Sequence, residues 1–161
     1  MTALPASDRY IMPGVSKVFY LPTVADPTTG PTRAEITAGT DLSDEIAAIS
    51  GFSSTANMVD VPDLKSRFTR QISGRISAEA SSITFYADKG GADVSAVLPR
   101  DTDGFIYFMD GGDNPGDKSD LFPISVVSNS KPRQLENAVV RVVSVAITDV
   151  PYEGLVIPAA A

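Results

Sequence analysis

Cysteine, histidine and tryptophan are all absent from this sequence. Without cysteine, the chain forms no disulfide and offers no thiolate to a metal or a substrate. Without histidine, it lacks the commonest general base, the commonest transition-metal ligand and the usual partner of a nucleophilic serine. The sequence therefore predicts a protein that is not an enzyme and that carries no cofactor.

Positive charge is also scarce. The chain has 13 Lys and Arg and 20 Asp and Glu, which gives a formal net charge of −7. Proteins that bind nucleic acid tightly need clustered cations to replace counterions, so tight DNA binding is not expected. The one basic cluster consists of Lys65, Arg67, Arg70 and Arg75, with few aromatic residues that could stack on bases. This composition favours ion pairs with an acidic neighbouring subunit over nucleic-acid recognition.

The first 21 residues contain Pro5, Asp8, Arg9 and Pro13, and they lack the uninterrupted apolar run of a signal peptide or a membrane helix. We therefore expect a chain that is made in the cytoplasm and stays out of membranes. Proline and glycine mark both ends of the sequence as extended rather than helical.

The chain has 161 residues, of which 43% are hydrophobic, and this is enough for one domain with its own core. We predict a single domain over residues 1–161. It comprises an N-terminal arm at 1–14, a β core at 15–149 and a C-terminal arm at 150–161, where Pro151 and Pro158 argue against a further strand.

Short apolar or alternating runs between turn formers predict a mainly β protein, either a β-sandwich or a barrel. Residues 68–87 are predicted as two antiparallel strands joined near residues 78–80 and forming a core element. Residues 138–148, β-branched and apolar on both faces, are typical of a central strand. The remaining predicted strands are 15–21, 45–52, 105–109 and 122–126.

Two further segments are predicted to lie outside the sheet. Val94, Val97 and Leu98 have helical spacing after a possible cap at Asp88, which predicts one short flanking α-helix. Residues 53–67 are mostly polar and contain Pro62, which would interrupt a ladder, so this segment is predicted to be a long loop.

Four aspartates, Asp110, Asp113, Asp117 and Asp120, lie close together in a turn-rich segment and could supply oxygen ligands to calcium. Their spacing does not fit the EF-hand loop, and the terminal glutamate of that motif is missing. We therefore expect a solvated turn and no metal site.

Several segments resemble the major tail proteins, or tail tube proteins, of long-tailed, non-contractile bacteriophages. That family has a β-sandwich or barrel with a flanking helix, and its members form stacked hexameric rings. The resemblance implies a structural virion protein without catalytic activity. The segments that carry it are 45–52 (EIAAISGF), 59–68 (VDVPDLKSRF), 82–88 (SITFYAD) and 122–126 (FPISV).

The resemblance also implies where subunits meet: the long loop reaches the adjacent ring, and the arms cover neighbouring subunits. Apolar residues in the N-terminal arm would need such a surface to cover them. The expected interface residues are Tyr10, Ile11, Met12, Met58, Val59, Asp60, Val61, Pro62, Asp63, Leu64, Lys65 and Arg67.

By the same resemblance, the partners are further copies of the chain, a tape-measure protein, a tail terminator and distal tail proteins. The protein is then expected in the virion tail, assembled in the host cytoplasm, with DNA passing through an acidic lumen without specific binding. One alternative is an inner-tube or distal ring subunit of another tail or contractile injection machine. Another is a monomeric β-sandwich binding module, which the absence of Trp disfavours.

Overall fold

A computed structural model describes residues 1–160, and the chain is mainly β. The last residue of the predicted C-terminal arm, Ala161, lies outside the described residues. The described part contains one α-helix, α1, and none of its helices is long and apolar enough to cross a membrane. The elements are β1 (Lys17–Leu21), α1 (Arg33–Ala38), β2 (Thr40–Asp41), β3 (Ile46–Ser50), β4 (Ser54–Val61), β5 (Arg70–Ala78), β6 (Ser81–Tyr86), β7 (Asp103–Met109), β8 (Lys118–Ser130), β9 (Val140–Ile147) and β10 (Tyr152–Val156).

The chain divides into two compact units. The first contains Met1–Asp44, Gly104–Leu121 and the segment from Tyr152 onward, and the second contains Glu45–Asp103 and Phe122–Pro151. The long strand β8 contributes its first residues to the first unit and the rest to the second.

In the first unit the strand order is β2, β1, β7, β8, and β10 pairs with β8. β1 and β7 are antiparallel, with Phe19 opposite Tyr107, which confirms the strands predicted at 15–21 and 105–109. Their apolar side chains form a core with α1 and the C-terminal segment. Its fully or almost fully buried residues are Leu21, Ile36, Tyr107, Met109, Leu121 and Ile157.

Helix α1 is stabilised at its start by a capping box. The Thr32 hydroxyl accepts a hydrogen bond from the Glu35 N–H, and the Glu35 carboxylate accepts one from the Thr32 N–H at 2.7 Å. The prediction of the helix at 88–98 was wrong, because this segment forms a short 3-10 turn (Val94–Ala96) capped by Asp93. Asp88 instead accepts a hydrogen bond from Ala92 within the preceding turn.

In the second unit the strand order is β8, β9, β6, β3, all antiparallel. β9 lies between β8 and β6, which confirms the central strand predicted at 138–148. The strands predicted at 45–52, 82–87 and 122–126 are also present, as β3, β6 and part of β8. Buried side chains of this unit include Ile83, Phe85, Val143 and Val145.

The predicted pairing of residues 68–87 was wrong. β5 pairs with β4 in a separate two-stranded sheet, whereas β6 pairs with β3 and β9. Ile83 and Phe85 of β6 are buried as expected, but Ile72 and Ile76 of β5 are exposed. Alternation of apolar residues marked β5 correctly as a strand and did not reveal which strand it pairs with.

The predicted loop at 53–67 was also wrong in its first half, because Ser54–Val61 is strand β4. Pro62 follows the strand instead of interrupting it, so its missing N–H costs no ladder bond. In the C-terminal segment, Pro151 and Pro158 likewise bracket a strand, β10, and do not prevent one.

Candidate assembly surface

The four clustered aspartates do not converge on a metal site. Asp113 forms an ion pair with Arg33, with both carboxylate oxygens within 2.8 Å of Nη1. Asp120 accepts a hydrogen bond from the Gly154 N–H at 3.0 Å. Within residues 1–160, no group of three or more potential ligands is arranged to hold a metal ion.

The most exposed regular structure is the β4–β5 hairpin of the second unit, residues 54–78, here called the hairpin surface. All residues of β4 and nearly all of β5 are exposed to solvent. A two-stranded hairpin with no buried face is marginally stable by itself in water. Its order must therefore come from local contacts or from a partner.

The base of the hairpin is fixed by hydrogen bonds on both strands. The Ser53 carbonyl accepts from the Glu79 N–H at 3.0 Å, and the Ser53 hydroxyl donates to the Glu79 carboxylate at 2.9 Å. The Ser81 hydroxyl accepts from the Phe52 N–H and donates to the Glu79 carbonyl. Phe52 has a φ of +58°, and its ring packs edge-on against Phe122 with centroids 5.4 Å apart. This ring contact helps to offset the cost of the left-handed backbone.

The tip of the hairpin is organised by Asp63. Its Oδ1 accepts from the N–H groups of Lys65 and Ser66, both at 2.9 Å, and the Ser66 hydroxyl accepts from the Phe68 N–H. Such side-chain turns replace backbone bonds in connecting segments. Leu64, within this turn, is fully exposed.

One face of the hairpin is apolar and basic. Residues that pair directly across an antiparallel ladder lie on the same face. Val59 pairs with Ile72, and Val61 pairs with Arg70. Ile72 is 58% exposed, so this face is available to another molecule.

The other face combines Met58 with a polar cross-strand pair. Asp60 lies opposite Gln71, and the Gln71 Nε2 donates to Asp60 Oδ1 at 2.8 Å. Met58 lies opposite Ser73 and is 75% exposed.

A bulge at Gly74 divides the hairpin. Between the pairs Ala56–Ile76 and Met58–Ser73, β4 advances two residues and β5 advances three. Ile76 therefore lies on the Met58 face, although its spacing from Ile72 suggests a shared face. A Cβ at position 74 would lie 2.9 Å from the Asn57 carbonyl oxygen and 2.8 Å from Val59 Cγ2, so a larger residue there would force the hairpin backbone to shift.

The basic cluster predicted from the sequence lies on this hairpin. Lys65 and Arg67 are in the connecting turn, and Arg70 and Arg75 are in β5. Within residues 1–160, none of these four cations forms an ion pair with a carboxylate.

The N-terminal arm belongs to the first unit. Residues 1–11 form no regular structure, and Met12 begins a turn in which its carbonyl accepts from Val15 and Ser16. The Ser16 hydroxyl donates to the Asp110 carbonyl at 2.7 Å, which anchors the arm at the end of β7. Tyr10, Ile11 and Met12 are 54%, 73% and 41% exposed.

The structure thus places the expected interface residues in two groups. Tyr10, Ile11 and Met12 lie in the arm of the first unit, and the nine residues from Met58 to Arg67 lie on the hairpin of the second unit. The sequence reasoning missed Phe68, Ile72 and Ile76, which are equally exposed. The sequence signal for their exposure was the alternation of Arg67, Arg70 and Arg75 with these apolar residues. A strand face buried in the core would not carry Arg70 beside Ile72.

An exposed hairpin with several apolar side chains is the kind of surface that marks protein–protein contact sites, and in a mainly β chain without a metal cluster in its described residues it is typical of structural subunits. The sequence matches the phage tail tube proteins over residues 5–160, and the chain belongs to that family. The family is structural and not enzymatic, and its members are components of the virion tail.

Two solved structures share the fold. A chain of the sixfold-symmetrised cryo-EM structure of the anti-feeding prophage baseplate aligns with a TM-score of 0.56 and 10% identity, covering 92% of this chain and 95% of that chain. The SPP1 tail tube, determined by solid-state NMR and cryo-EM, aligns with a TM-score of 0.54 and 17% identity, covering 91% of this chain and 81% of that chain. A search of curated proteins found no match.

Proposed function

We propose that this protein is the repeating subunit of a phage tail tube. Six copies close into a ring, and the rings stack into the tube through which DNA leaves the virion and enters the host. Family membership over residues 5–160 and the fold shared with the SPP1 tail tube support this role. The observation that carries it is the hairpin at 54–78, which is ordered and apolar yet exposed.

The ring of six is part of this proposal. The anti-feeding prophage baseplate is described with sixfold symmetry, and its similar chain covers almost the whole of this one. Closed cyclic rings need one heterologous contact repeated around an axis, whereas stacking needs a second contact along it. The chain therefore requires at least two separate surfaces for its own copies.

We further propose that the two compact units act together as one tail-tube domain, with an N-terminal arm at 1–14 that extends along neighbouring subunits. The segment predicted as a C-terminal arm, 150–161, packs on its own chain instead, through β10 and the buried Ile157. The arm residues Tyr10, Ile11 and Met12 and the hairpin residues are the proposed interface. Burying an exposed aliphatic or aromatic side chain contributes up to about 1.5–3 kcal/mol, so a few such residues per contact suffice to order the hairpin.

The net charge of −7 supports a conducting role for the tube. A lumen lined by carboxylates repels the phosphate backbone, so DNA slides without being held. The remaining partners in this proposal are a tape-measure protein, a tail terminator and distal tail proteins, with assembly in the host cytoplasm.

A second candidate is a ring subunit of a baseplate or of a contractile injection machine. The similarity to the anti-feeding prophage baseplate favours it. The copy number per particle separates the two functions, because a tube contains many rings and a baseplate position contains one. Quantitative mass spectrometry of purified particles measures this number.

The test of the tube proposal is assembly of the purified chain, followed by sedimentation velocity and negative-stain electron microscopy. The wild type is expected to form rings and hollow tubes as its concentration rises. Leu64→Ser should raise the concentration needed for assembly, because Leu64 is a fully exposed apolar residue on the hairpin. Leu135→Ser is the matched control, since Leu135 is equally exposed but lies between β8 and β9.

Wild-type protein that remains monomeric at millimolar concentration, also in the presence of a tail initiator complex, would contradict the tube proposal. Equal effects of Leu64→Ser and Leu135→Ser would leave self-assembly standing but remove the hairpin from the interface.

A further inference from the structure

The hairpin surface differs in charge from the rest of the chain. Residues 54–78 contain four cations, Lys65, Arg67, Arg70 and Arg75, and two carboxylates, which gives a net charge of +2. Because the whole chain has a net charge of −7, the remainder has −9. The hairpin is therefore a basic projection on an acidic protein.

This charge limits what the hairpin contacts. If two hairpins packed against each other, the four cations of one copy would lie next to the four cations of the other. Like charges in contact oppose binding strongly. Nucleic acid is a poorer fit than protein, because exposed aliphatic residues such as Val59, Leu64 and Ile72 alternate with the cations. The complementary surface must be both apolar and acidic.

The first unit supplies such a surface. Its charged residues are ten Asp or Glu and four Lys or Arg, a net charge of −6. Asp110, directly after β7, and Asp120, near the start of β8, are half-buried and form no ion pair within residues 1–160. The exposed arm residues Tyr10 and Met12 provide apolar area beside them.

The carboxylates and the arm are close enough to interact. Burial raises the pKa of Asp110, and the negative charge of Asp120 raises it further. The pKa of Tyr10 is also raised, first by burial and then by the charges of Asp110 and Asp120. The arm is held there by the bond from the Ser16 hydroxyl to the Asp110 carbonyl.

We propose that the hairpin surface of one copy docks head to tail on the surface formed by Tyr10, Met12, Asp110 and Asp120 of the next copy, with Arg67 and Arg70 facing the two carboxylates. This inference rests on the proposed tube function and specifies one of its contacts. A head-to-tail contact uses two different surfaces on each chain, so it repeats from copy to copy and does not stop at a closed dimer.

The absence of cysteine allows a direct test of which surfaces meet. Single-cysteine variants Thr69→Cys, in the hairpin, and Asp117→Cys, in the segment between Asp110 and Asp120, are mixed under assembly conditions and treated with a short bismaleimide. The expected product is the mixed dimer that joins position 69 to position 117, in at least about tenfold excess over same-site dimers because only that pair of surfaces is complementary.

A charge exchange tests the pairing itself. Arg67→Glu with Arg70→Glu should raise the concentration needed for assembly at least about tenfold, and Asp110→Lys with Asp120→Lys should do the same. All four substitutions in one chain should restore assembly. Circular dichroism of each variant establishes that it is folded, and Asp110→Asn with Asp120→Asn serves if the lysine variant unfolds.

Matched controls use charged residues that belong to neither surface. Lys131→Glu with Arg133→Glu makes the same two-charge change as the hairpin variant, and Glu136→Lys reverses one acidic charge. All three residues lie between β8 and β9. These variants are expected to assemble at the wild-type concentration.

Different outcomes identify different failures. If the wild type assembles but same-site 69–69 dimers dominate, or the fourfold exchange fails to restore assembly of folded protein, the head-to-tail pairing is overturned and the tube function stands. If the hairpin variant assembles normally and loses only retention on double-stranded DNA, the hairpin binds phosphate and the proposal is overturned. A wild-type chain that neither assembles nor cross-links, also in the presence of a tail initiator complex, overturns the tube function and this contact together.

Discussion

Replacing Arg141 with methionine should destabilise the second unit measurably, because it removes one partner of a buried carboxylate. The side chain of Asp93 is 2% exposed, and its Oδ2 accepts from Arg141 Nε at 3.0 Å. Asp93 also accepts from the N–H groups of Ser95 and Asp88, at 3.0 and 3.3 Å. Arg141 Nη1 donates to Asn129 Oδ1 at 3.1 Å. The ion pair thus links the 3-10 turn to strands β8 and β9.

The expected loss follows from the burial of the two partners. A hydrogen bond to a charged group contributes about 1.5–3 kcal/mol, and removing one partner of a buried ion pair costs about 3–5 kcal/mol. Arg141 is 20% exposed, and two backbone bonds to Asp93 remain after the substitution. We therefore expect a loss of about 2–3 kcal/mol, which lowers the melting temperature of a chain of this size by about 4–12 °C.

Urea and thermal unfolding of the unassembled chain, followed by circular dichroism, measures this loss. Arg133→Met is the matched control, since Arg133 is exposed and its side chain makes only a 3.4 Å bond to the Lys131 carbonyl. The control should stay within about 0.5 kcal/mol of the wild type. An Arg141→Met variant as stable as the control would refute the reasoning.

The ion pair between Asp93 and Arg141 also predicts that the stability of the fold depends on pH. Burial raises the pKa of Asp93, but hydrogen bonds from Ser95, Arg141 and Asp88 outweigh it and hold this pKa well below its usual range. A carboxyl group whose folded pKa is lowered stabilises the fold above its unfolded pKa, about 3.9, and this stability is lost as the pH falls towards the folded value. The difference between wild type and Arg141→Met should therefore shrink below about pH 4.

Three further substitutions test other parts of the fold. Gly74→Val places a Cβ 2.8 Å from Val59 Cγ2, so it should loosen the hairpin and speed amide exchange at 54–78, whereas Ser73→Val at an exposed position should not. Arg33→Met removes the bonds to Asp113 and to the Pro158 carbonyl, at 2.6 Å, so exchange in β10 should accelerate without a change in the hairpin. Tyr107→Phe removes a buried 2.7 Å hydroxyl hydrogen bond and should cost about 1–2 kcal/mol in urea unfolding; no measurable loss would show that this bond contributes nothing.

Sequence reasoning succeeded where a strand is buried in its own chain. The runs at Phe105–Met109 and at Phe122, Ile124 and Val126 are apolar because they contribute to the cores of the two units, so their composition reflects the fold directly. The missed α-helix is too short to show a periodicity and buries only Ile36. Its signal was the capping box, a threonine followed three residues later by glutamate.

The hairpin was the harder part to predict. Neither face of β4 is buried in this chain, so its sequence lacks the alternation that marks a strand. The bulge at Gly74 also moves Ile76 to the face opposite Ile72, which spacing alone does not reveal. Because no residue of β4 is buried by its own chain, the packing requirements of a single chain do not predict this strand.

The central claim is that copies of this chain assemble into stacked rings through the hairpin surface. Cryo-electron microscopy of the assembled wild type, at a resolution that traces residues 54–78, tests it most directly. The account predicts rings of six with each hairpin packed against an adjacent copy, on the surface that carries Asp110 and Asp120. Rings or tubes in which the hairpin projects into solvent would contradict it.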